Sequence, residues 1–142
     1  MPRAHWLVKS EPFKYSWDDL VKGGSTHWDG VRNYQARNNL RKMKVGDYAL
    51  YYHSNEGKEV VGIAKVTRSA YPDPTTDDDR WVVVDVAPVK PLKVPVTLAQ
   101  IKADPQLVQI PLVTHSRLSV MPLEKSDFER ILELGKIPPT RR

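Results

Sequence analysis

Short runs of strand-forming residues, separated by turns and interrupted by helical segments at irregular intervals, most constrain the fold of this chain. Five such runs fall at residues 6–9, 47–53, 60–67, 81–87 and 117–120. Four helical patterns lie between them: one capped by Ser16 and stopped at Gly23–Gly24, one from Asn33 to about Met43, one from Thr97 to Asp104, and one from Lys125 to Leu134. Because helices and strands do not alternate regularly, the pattern favours an α+β fold. We expect a small β-barrel of mixed and antiparallel short strands with flanking short helices, not a doubly wound parallel sheet.

Prolines and chain length refine this expectation. Pro88, Pro91 and Pro95 follow the fourth strand run, so that part of the chain is predicted to be an edge strand or an extended arm.

A chain of 142 residues suits one domain, which we place at residues 1–137, followed by a basic C-terminal tail at residues 138–142.

The net charge of +5 is local. Residues 1–70 carry 12 basic and 7 acidic side chains, whereas residues 71–142 carry 10 of each. Within Gly30–Gly46 there are five basic side chains and no acidic ones. A polyanion would bind there, although a solvated helix face is an equally good interpretation of such a cluster alone.

Several function classes are not expected. The chain has no cysteine, which removes disulfides, thiolate metal sites and cysteine nucleophiles and fits a reducing cytoplasm, with association with the nucleoid as an alternative. No apolar run is long enough for a membrane helix, and no membrane partner is expected. The four histidines are scattered and no phosphate-binding glycine loop is present, so we predict no metal and no cofactor. His53 and Ser54 are adjacent, but neighbouring side chains on a strand point to opposite faces, so we predict no catalytic residues.

Recognition chemistry is better represented. Aromatic rings and hydrogen-bonding groups surround the basic segment, and a nucleobase pocket needs both. Each has a simpler explanation: core packing for Trp28 and Tyr34, and helix capping for Asn33. On an ideal strand Tyr52 and Ser54 share one face and Tyr51 and His53 the other; the sequence leaves open which pair lines a cavity.

Five segments in order resemble the EVE domain family of the PUA-like superfamily: WLVKSEP (6–12), WDGVRNYQARNNL (28–40), VGDYALYYHS (45–54), GIAKVTRSAYPDP (62–74) and RLSVMPL (117–123). The resemblance covers nearly the whole chain and implies a PUA-like pseudo-barrel related to YTH and ASCH domains. It also implies a non-catalytic, monomeric module that binds nucleic acid with a modified base, foremost DNA containing 5-methylcytosine or 5-hydroxymethylcytosine. The alternatives are a reader of modified RNA bases and a nucleic-acid-processing enzyme.

The resemblance also nominates site residues. The base pocket would comprise Lys9, Ser10, Trp28, Asn33, Tyr34, Tyr52, His53 and Ser54, with Arg117 and Ser119 as weaker candidates. Trp28 or Tyr34 would be the stacking ring. Phosphate contacts would come from Arg32, Arg37, Arg41 and Lys42. The stretch between Tyr71 and Trp81 is short for the family, and its acidic residues 77–79 are expected to face away from a bound backbone.

Overall fold

The computed structural model describes residues 4–11, 15–28, 33–54, 57–115 and 117–137, in which six strands and five helices form. In chain order they are β1 (His5–Ser10), α1 (Trp17–Gly23), β2 (Thr26–His27), α2 (Tyr34–Lys42), β3 (Tyr48–His53), β4 (Glu59–Pro72), β5 (Val82–Thr97), α3 (Leu98–Ala103), α4 (Pro111–Thr114), β6 (Val120–Leu123) and α5 (Lys125–Leu134). The α+β class predicted from the sequence is confirmed. The basic tail at residues 138–142 lies outside the described residues.

All six strands belong to one mixed sheet in the order β2-β5-β4-β3-β1-β6. β1 and β3 run parallel, and the other neighbouring strands are antiparallel. The antiparallel β3–β4 pair is the one predicted from the sequence. β4 and β5 are 14 and 16 residues long, and their pairing shifts register at several points. Such irregularities bend and twist a sheet.

The three prolines of β5 are accommodated at the edge of the sheet, as predicted. β2 pairs with β5 only at Asp85 and Val86, so beyond that point β4 is the sole ladder partner of β5 among the described residues. Pro88 and Pro91 pair with β4 at Ala64 and Gly62, where the missing N–H groups cost no bond to an outer strand.

The register of the central strands defines two faces. Residues paired across β1 and β3 lie side by side and share a face. One face carries Trp6, Val8 and Ser10 of β1 and Ala49, Tyr51 and His53 of β3, and we call it the aromatic face. The opposite face packs on α5, where the Phe128 ring lies 4.5 Å from that of His5 and 6.1 Å from that of Tyr48.

Helix α2 shows that the sheet is curved. It contacts β4 and β5 as well as the edge strand β6, to which the Asn39 amide nitrogen donates at the Val120 carbonyl, 2.7 Å away. β5 and β6 are four positions apart in the sheet, about 19 Å if it were flat. The nine residues of α2 span only about 14 Å, which agrees with a sheet that curls towards the helix.

Helix termini agree closely with the sequence. Ser16, Asn33 and Thr97 are the N-caps of α1, α2 and α3, and each side chain accepts a hydrogen bond from the backbone N–H three residues ahead. Gly24 ends α1 with a φ of 80°. α5 has the predicted bounds and buries Phe128 on its apolar face.

The last strand and two short elements differ from the sequence prediction. β6 runs over Val120–Leu123 instead of 117–120, because the Leu118 N–H donates to the His115 carbonyl and keeps the chain in a turn. Pro122 fits in β6 because this strand lies at the edge of the sheet. The two-residue β2 and the four-residue α4 carry no pattern long enough to predict.

Candidate functional site

Four rings lie together on the aromatic face. The ring centroid of Tyr51 lies 5.7 Å from that of Trp17, 5.3 Å from that of Trp28 and 5.8 Å from that of His53. The interplanar angles are 71°, 90° and 85°, the edge-to-face geometry that aromatic quadrupoles favour. We call these four residues the Tyr51 cluster. It answers the question left open by the sequence: the face with Tyr51 and His53 meets Trp28.

The loop before α1 is fastened to this cluster through the carbonyl oxygen of Tyr15. The Tyr51 hydroxyl donates to it at 2.6 Å and the Ser10 hydroxyl at 2.8 Å. Burial raises the pKa of Tyr51 to about 12, against the opposing effect of its hydrogen bond with Ser10. Tyr51 therefore remains a protonated donor at neutral pH, and Ser10, a nominated base-pocket residue, lies beside the cluster.

His53 joins the cluster to the N-terminus of α1. Its Nε2 accepts a hydrogen bond from the Trp17 backbone N–H at 3.0 Å, while Ser16 Oγ accepts from the N–H of Asp19. A ring nitrogen that accepts is unprotonated, so His53 is neutral with its proton on Nδ1. Burial lowers the pKa of His53, and the charges of Glu59 and Asp18 partly oppose this.

This arrangement predicts a pH-dependent stability. The folded-state pKa of His53 lies below the unfolded value of about 6.5, so its hydrogen bond stabilises the protein fully above that pH and less as the pH falls. At about pH 7.5, His53→Ala should lower the free energy of unfolding by about 1 kcal/mol, the cost of a lost helix cap. At about pH 5.5 the difference should shrink, because protonated His53 in the wild type cannot accept.

Urea unfolding followed by circular dichroism at the two pH values checks this prediction. His27→Ala is the matched control, because His27 is exposed and should change stability by less than about 0.5 kcal/mol. A cost of His53→Ala that grows on acidification would show that the ring does not act as a neutral acceptor.

A cleft of about 290 Å³ lies beside the N-terminus of α2. We call it the Arg117 cleft; it is lined by Asn33, Gln35, His115, Arg117 and Leu118. Two nominated residues, Asn33 and Arg117, thus meet in one cavity although they are far apart in sequence. The capping interpretation of Asn33 is also correct, because its Oδ1 accepts from the N–H of Ala36 at 2.9 Å.

The basic side chains of α2 differ in their contacts and exposure. Arg37 donates to Asn38 Oδ1 at 2.8 and 3.2 Å, and its guanidinium lies 4.9 Å from the centroid of the Tyr34 ring. Arg41 and Lys42 are exposed in the last turn, where positive charge also complements the helix dipole. Arg32 lies outside the described residues.

The acidic loop after β4 is joined to the basic helix α2 by Arg80. The Arg80 guanidinium pairs with Asp78 and also donates to the Tyr34 hydroxyl at 3.0 Å. The Tyr34 ring, 52% exposed, stacks on Trp81 with centroids 5.2 Å apart. Arg80 thus compensates the charge of Asp78 next to α2, which the sequence-based expectation did not include.

Other nominated residues lie on the opposite face of the sheet or at the ends of its strands. The register places Lys9 and Tyr52 on the opposite face of the sheet, and burial lowers the pKa of Lys9 and raises that of Tyr52. Ser54 follows β3, and its backbone N–H donates to the Ser10 carbonyl at 2.9 Å. Ser119 lies between the Arg117 cleft and β1, since its carbonyl accepts from the Lys9 N–H at 2.9 Å.

Sequence reasoning missed several members of the site. The sequence prediction does not include Trp17. A hint lies in Gly62, because a glycine inside a strand pattern often marks a position that another group approaches closely. A Cβ at Gly62 would lie 2.6 Å from Trp17 ring atoms, so the glycine permits this contact. Gln35 and His115 carry no distinguishing sequence signal. Within the described ranges, no group of three or more metal-ligating side chains is placed to hold an ion, and no helix is long and apolar enough to cross a membrane.

A curved mixed sheet with short helices on both faces is the architecture of PUA-type domains. The crystal structure of a YTH domain from Zygosaccharomyces rouxii shares it, with a TM-score of 0.60 at 16% identity over 94% of this chain and 86% of that one. At this level of identity the likeness establishes the fold alone.

The chain belongs to the EVE domain family, whose model matches residues 4–134. It is 37% identical to human thymocyte nuclear protein 1 over an alignment of 171 positions, gaps included, which covers 96% of this chain and 76% of the human protein. A crystal structure of that human protein in complex with 5-methylcytosine-containing DNA superposes with a TM-score of 0.86, covering 96% of this chain and 99% of the other. A crystal structure of an Agrobacterium tumefaciens protein is 44% identical with a TM-score of 0.94, covering 98% of this chain and 99% of that one.

Proposed function

We propose that this protein is a non-catalytic module that binds DNA and accepts one modified cytosine, foremost 5-methylcytosine, beside the Tyr51 cluster. The observation that carries the proposal is the human relative crystallised with 5-methylcytosine-containing DNA, which shares the fold over 96% of this chain. The relation, at 37% identity, supports the same class of ligand for this chain.

The Tyr51 cluster supplies the chemistry that a flipped base needs. Trp28 meets Tyr51 edge-to-face and is 8% exposed, so a base would reach its indole at the small part that is open to solvent. A base stacked on an aromatic side chain gains about 1–3 kcal/mol. The hydroxyl of Ser10, at the end of β1, donates to the Tyr15 carbonyl, so its oxygen is the part that can accept a hydrogen bond from a base.

The environment of His53 supports binding over catalysis. Its Nε2 is already occupied by the Trp17 N–H, and the ring is neutral because of that bond. Ser54 follows His53 directly, so the two side chains diverge and Ser54 is not placed as a nucleophile for this base. The exposed Arg41 and Lys42 on α2 serve as contacts for the flanking phosphates.

The test compares oligonucleotides that differ by one methyl group. Wild-type protein should bind a 5-methylcytosine oligonucleotide about tenfold more tightly than the unmodified one, as measured by fluorescence anisotropy. Trp28→Phe keeps a ring against Tyr51 but reduces the stacking surface, so the selectivity should fall by about threefold or more. Oligonucleotides with 5-hydroxymethylcytosine and matched RNA strands define the modification and the sugar that are preferred.

Two variants separate stacking from other effects. Tyr71→Phe is the control, because the Tyr71 ring lies on β4 under the Arg68 guanidinium, outside the Tyr51 cluster; it should leave the selectivity unchanged. Arg41→Ala should weaken binding to both oligonucleotides alike and reduce the salt slope by about one. Equal wild-type affinity for methylated and unmodified DNA would refute the modified-base proposal.

A further inference from the structure

We infer that the Arg117 cleft is a second nucleotide subsite, which holds the phosphate and part of the nucleotide next to the modified base. The inference rests on the proposed function and extends it from one base to a two-point contact. It assigns a role to Gln35, His115 and Leu118, which sequence reasoning did not nominate.

The lining of the cleft suits an anionic, polar ligand. Arg117 brings a guanidinium, and none of the five lining residues is acidic. Guanidinium groups bind phosphate through two parallel hydrogen bonds. Among the described residues that line the cleft, Arg117 therefore offers its positive charge to a phosphate with no carboxylate beside it.

The polar groups of the cleft are mostly donors. The Oδ1 of Asn33 is used as the cap of α2, so its amide nitrogen is the group left to donate to a ligand. The Nδ1 of His115 lies 2.7 Å from the Thr114 hydroxyl, which orients the ring. Donors match the phosphate oxygens and base carbonyl groups of a nucleotide, and Leu118 adds an apolar surface for the sugar or base.

The segment that carries Arg117 and the Tyr51 cluster are linked by hydrogen bonds at the end of β1. The Ser119 carbonyl accepts from the Lys9 N–H, so the segment that carries Arg117 runs along the end of β1. The next residue, Ser10, is bonded to the Tyr15 carbonyl that also receives the Tyr51 hydroxyl. A strand whose base enters at the Tyr51 cluster can therefore place its neighbouring nucleotide in the cleft.

The size of the cleft favours one nucleotide over a longer segment. Small-molecule sites have volumes of about 300–1,000 Å³, and the cleft, at about 290 Å³, lies at the lower end of that range. A single phosphate with part of its nucleoside fits this space. The proposed ligand is one nucleotide of the strand that carries the modified base.

The experiment removes the charge from either side of the proposed contact. Methylphosphonate linkages, which are neutral, replace the phosphate on the 5′ or the 3′ side of the 5-methylcytosine. For the wild-type protein, one of these two replacements should lower affinity by about tenfold. Arg117→Ala should lower affinity for the all-phosphate strand by about the same factor and should be insensitive to that methylphosphonate.

A matched control and a second strand make the outcome decisive. Arg68→Ala removes an exposed arginine on β4 that stacks on Tyr71 outside the cleft, and it should retain full sensitivity to the methylphosphonate. The same measurements on unmodified DNA test the subsite separately from methyl recognition. If Arg117→Ala remains as sensitive to the neutral linkage as the wild type, the subsite is refuted, whatever the preference for 5-methylcytosine.

Discussion

Asp47→Ala is expected to lower the free energy of unfolding by about 3 kcal/mol. The carboxylate is only 4% exposed and accepts three hydrogen bonds, from the backbone N–H groups of Ala4 and Lys44 and from the indole N–H of Trp6. Its removal leaves three donors without this acceptor. Each buried donor without a partner costs about 1–3 kcal/mol, less where water enters the space.

Urea unfolding followed by tryptophan fluorescence measures this loss. Asp47→Asn retains one acceptor oxygen but turns an amide NH₂ towards a donor, so its cost should lie between that of Asp47→Ala and zero. Asp77→Ala is the matched control, since Asp77 is exposed and its loss should change stability by less than about 0.5 kcal/mol. A cost below about 1 kcal/mol for Asp47→Ala would mean that the three donors find other partners.

Gly62→Ala is expected to destabilise the protein by about 2–3 kcal/mol. An added Cβ would lie 2.6–2.7 Å from three atoms of the Trp17 ring, closer than carbon atoms approach without a shift. Trp17 cannot yield easily, because its ring packs on Tyr51 and its backbone N–H is bonded to His53. The indole must move outward, and α1 with it, which should be visible as a loss of near-ultraviolet circular dichroism.

The effect of Gly62→Ala on stability should change from destabilising to stabilising when the Trp17 ring is absent. In a Trp17→Leu background the clash disappears, and alanine in place of glycine then stabilises a strand by about 0.5–1 kcal/mol through the unfolded state. A double-mutant cycle should therefore give a coupling energy of about 2 kcal/mol or more between the two positions. Additive effects of the two substitutions on stability would contradict the close contact between Gly62 and Trp17.

The features that the sequence predicted well are local ones. The caps at Ser16, Asn33 and Thr97 form within three residues of the chain, so residue type and spacing suffice to find them. The apolar spacing of α5 is a further local pattern and gave its bounds without error. Local patterns did not predict the bounds of β6. The turn before Val120 and the edge position of Pro122 both depend on the rest of the sheet.

The candidate site was predicted only in part. Trp28, Ser10 and His53 come together beside Tyr51, whereas Lys9 and Tyr52 lie on the other face of the same strands. The reason is the two-residue period of a strand: the identity of the face depends on what packs against it, and the side chains on the strand itself do not reveal this.

Contacts between distant segments required the folded structure. Arg117 and Asn33 line one cleft, and Arg80 joins the acidic loop to Tyr34 on α2. In each case two segments far apart in the sequence meet because the sheet curls around α2. The formal charges of these segments alone do not reveal the pairing of Arg80 with Asp78.

The sequence by itself determined the α+β class, the helix caps, the concentration of positive charge in Gly30–Gly46 and the resemblance to the EVE family. These follow from residue composition and from interactions over a few positions. Only the tertiary structure decided which face of β3 carries the ring cluster, why residue 62 is glycine, and that Arg117 shares a cleft with Asn33. Such facts depend on strand register and on the curvature of the sheet, and both are set by packing between residues that are remote in the chain.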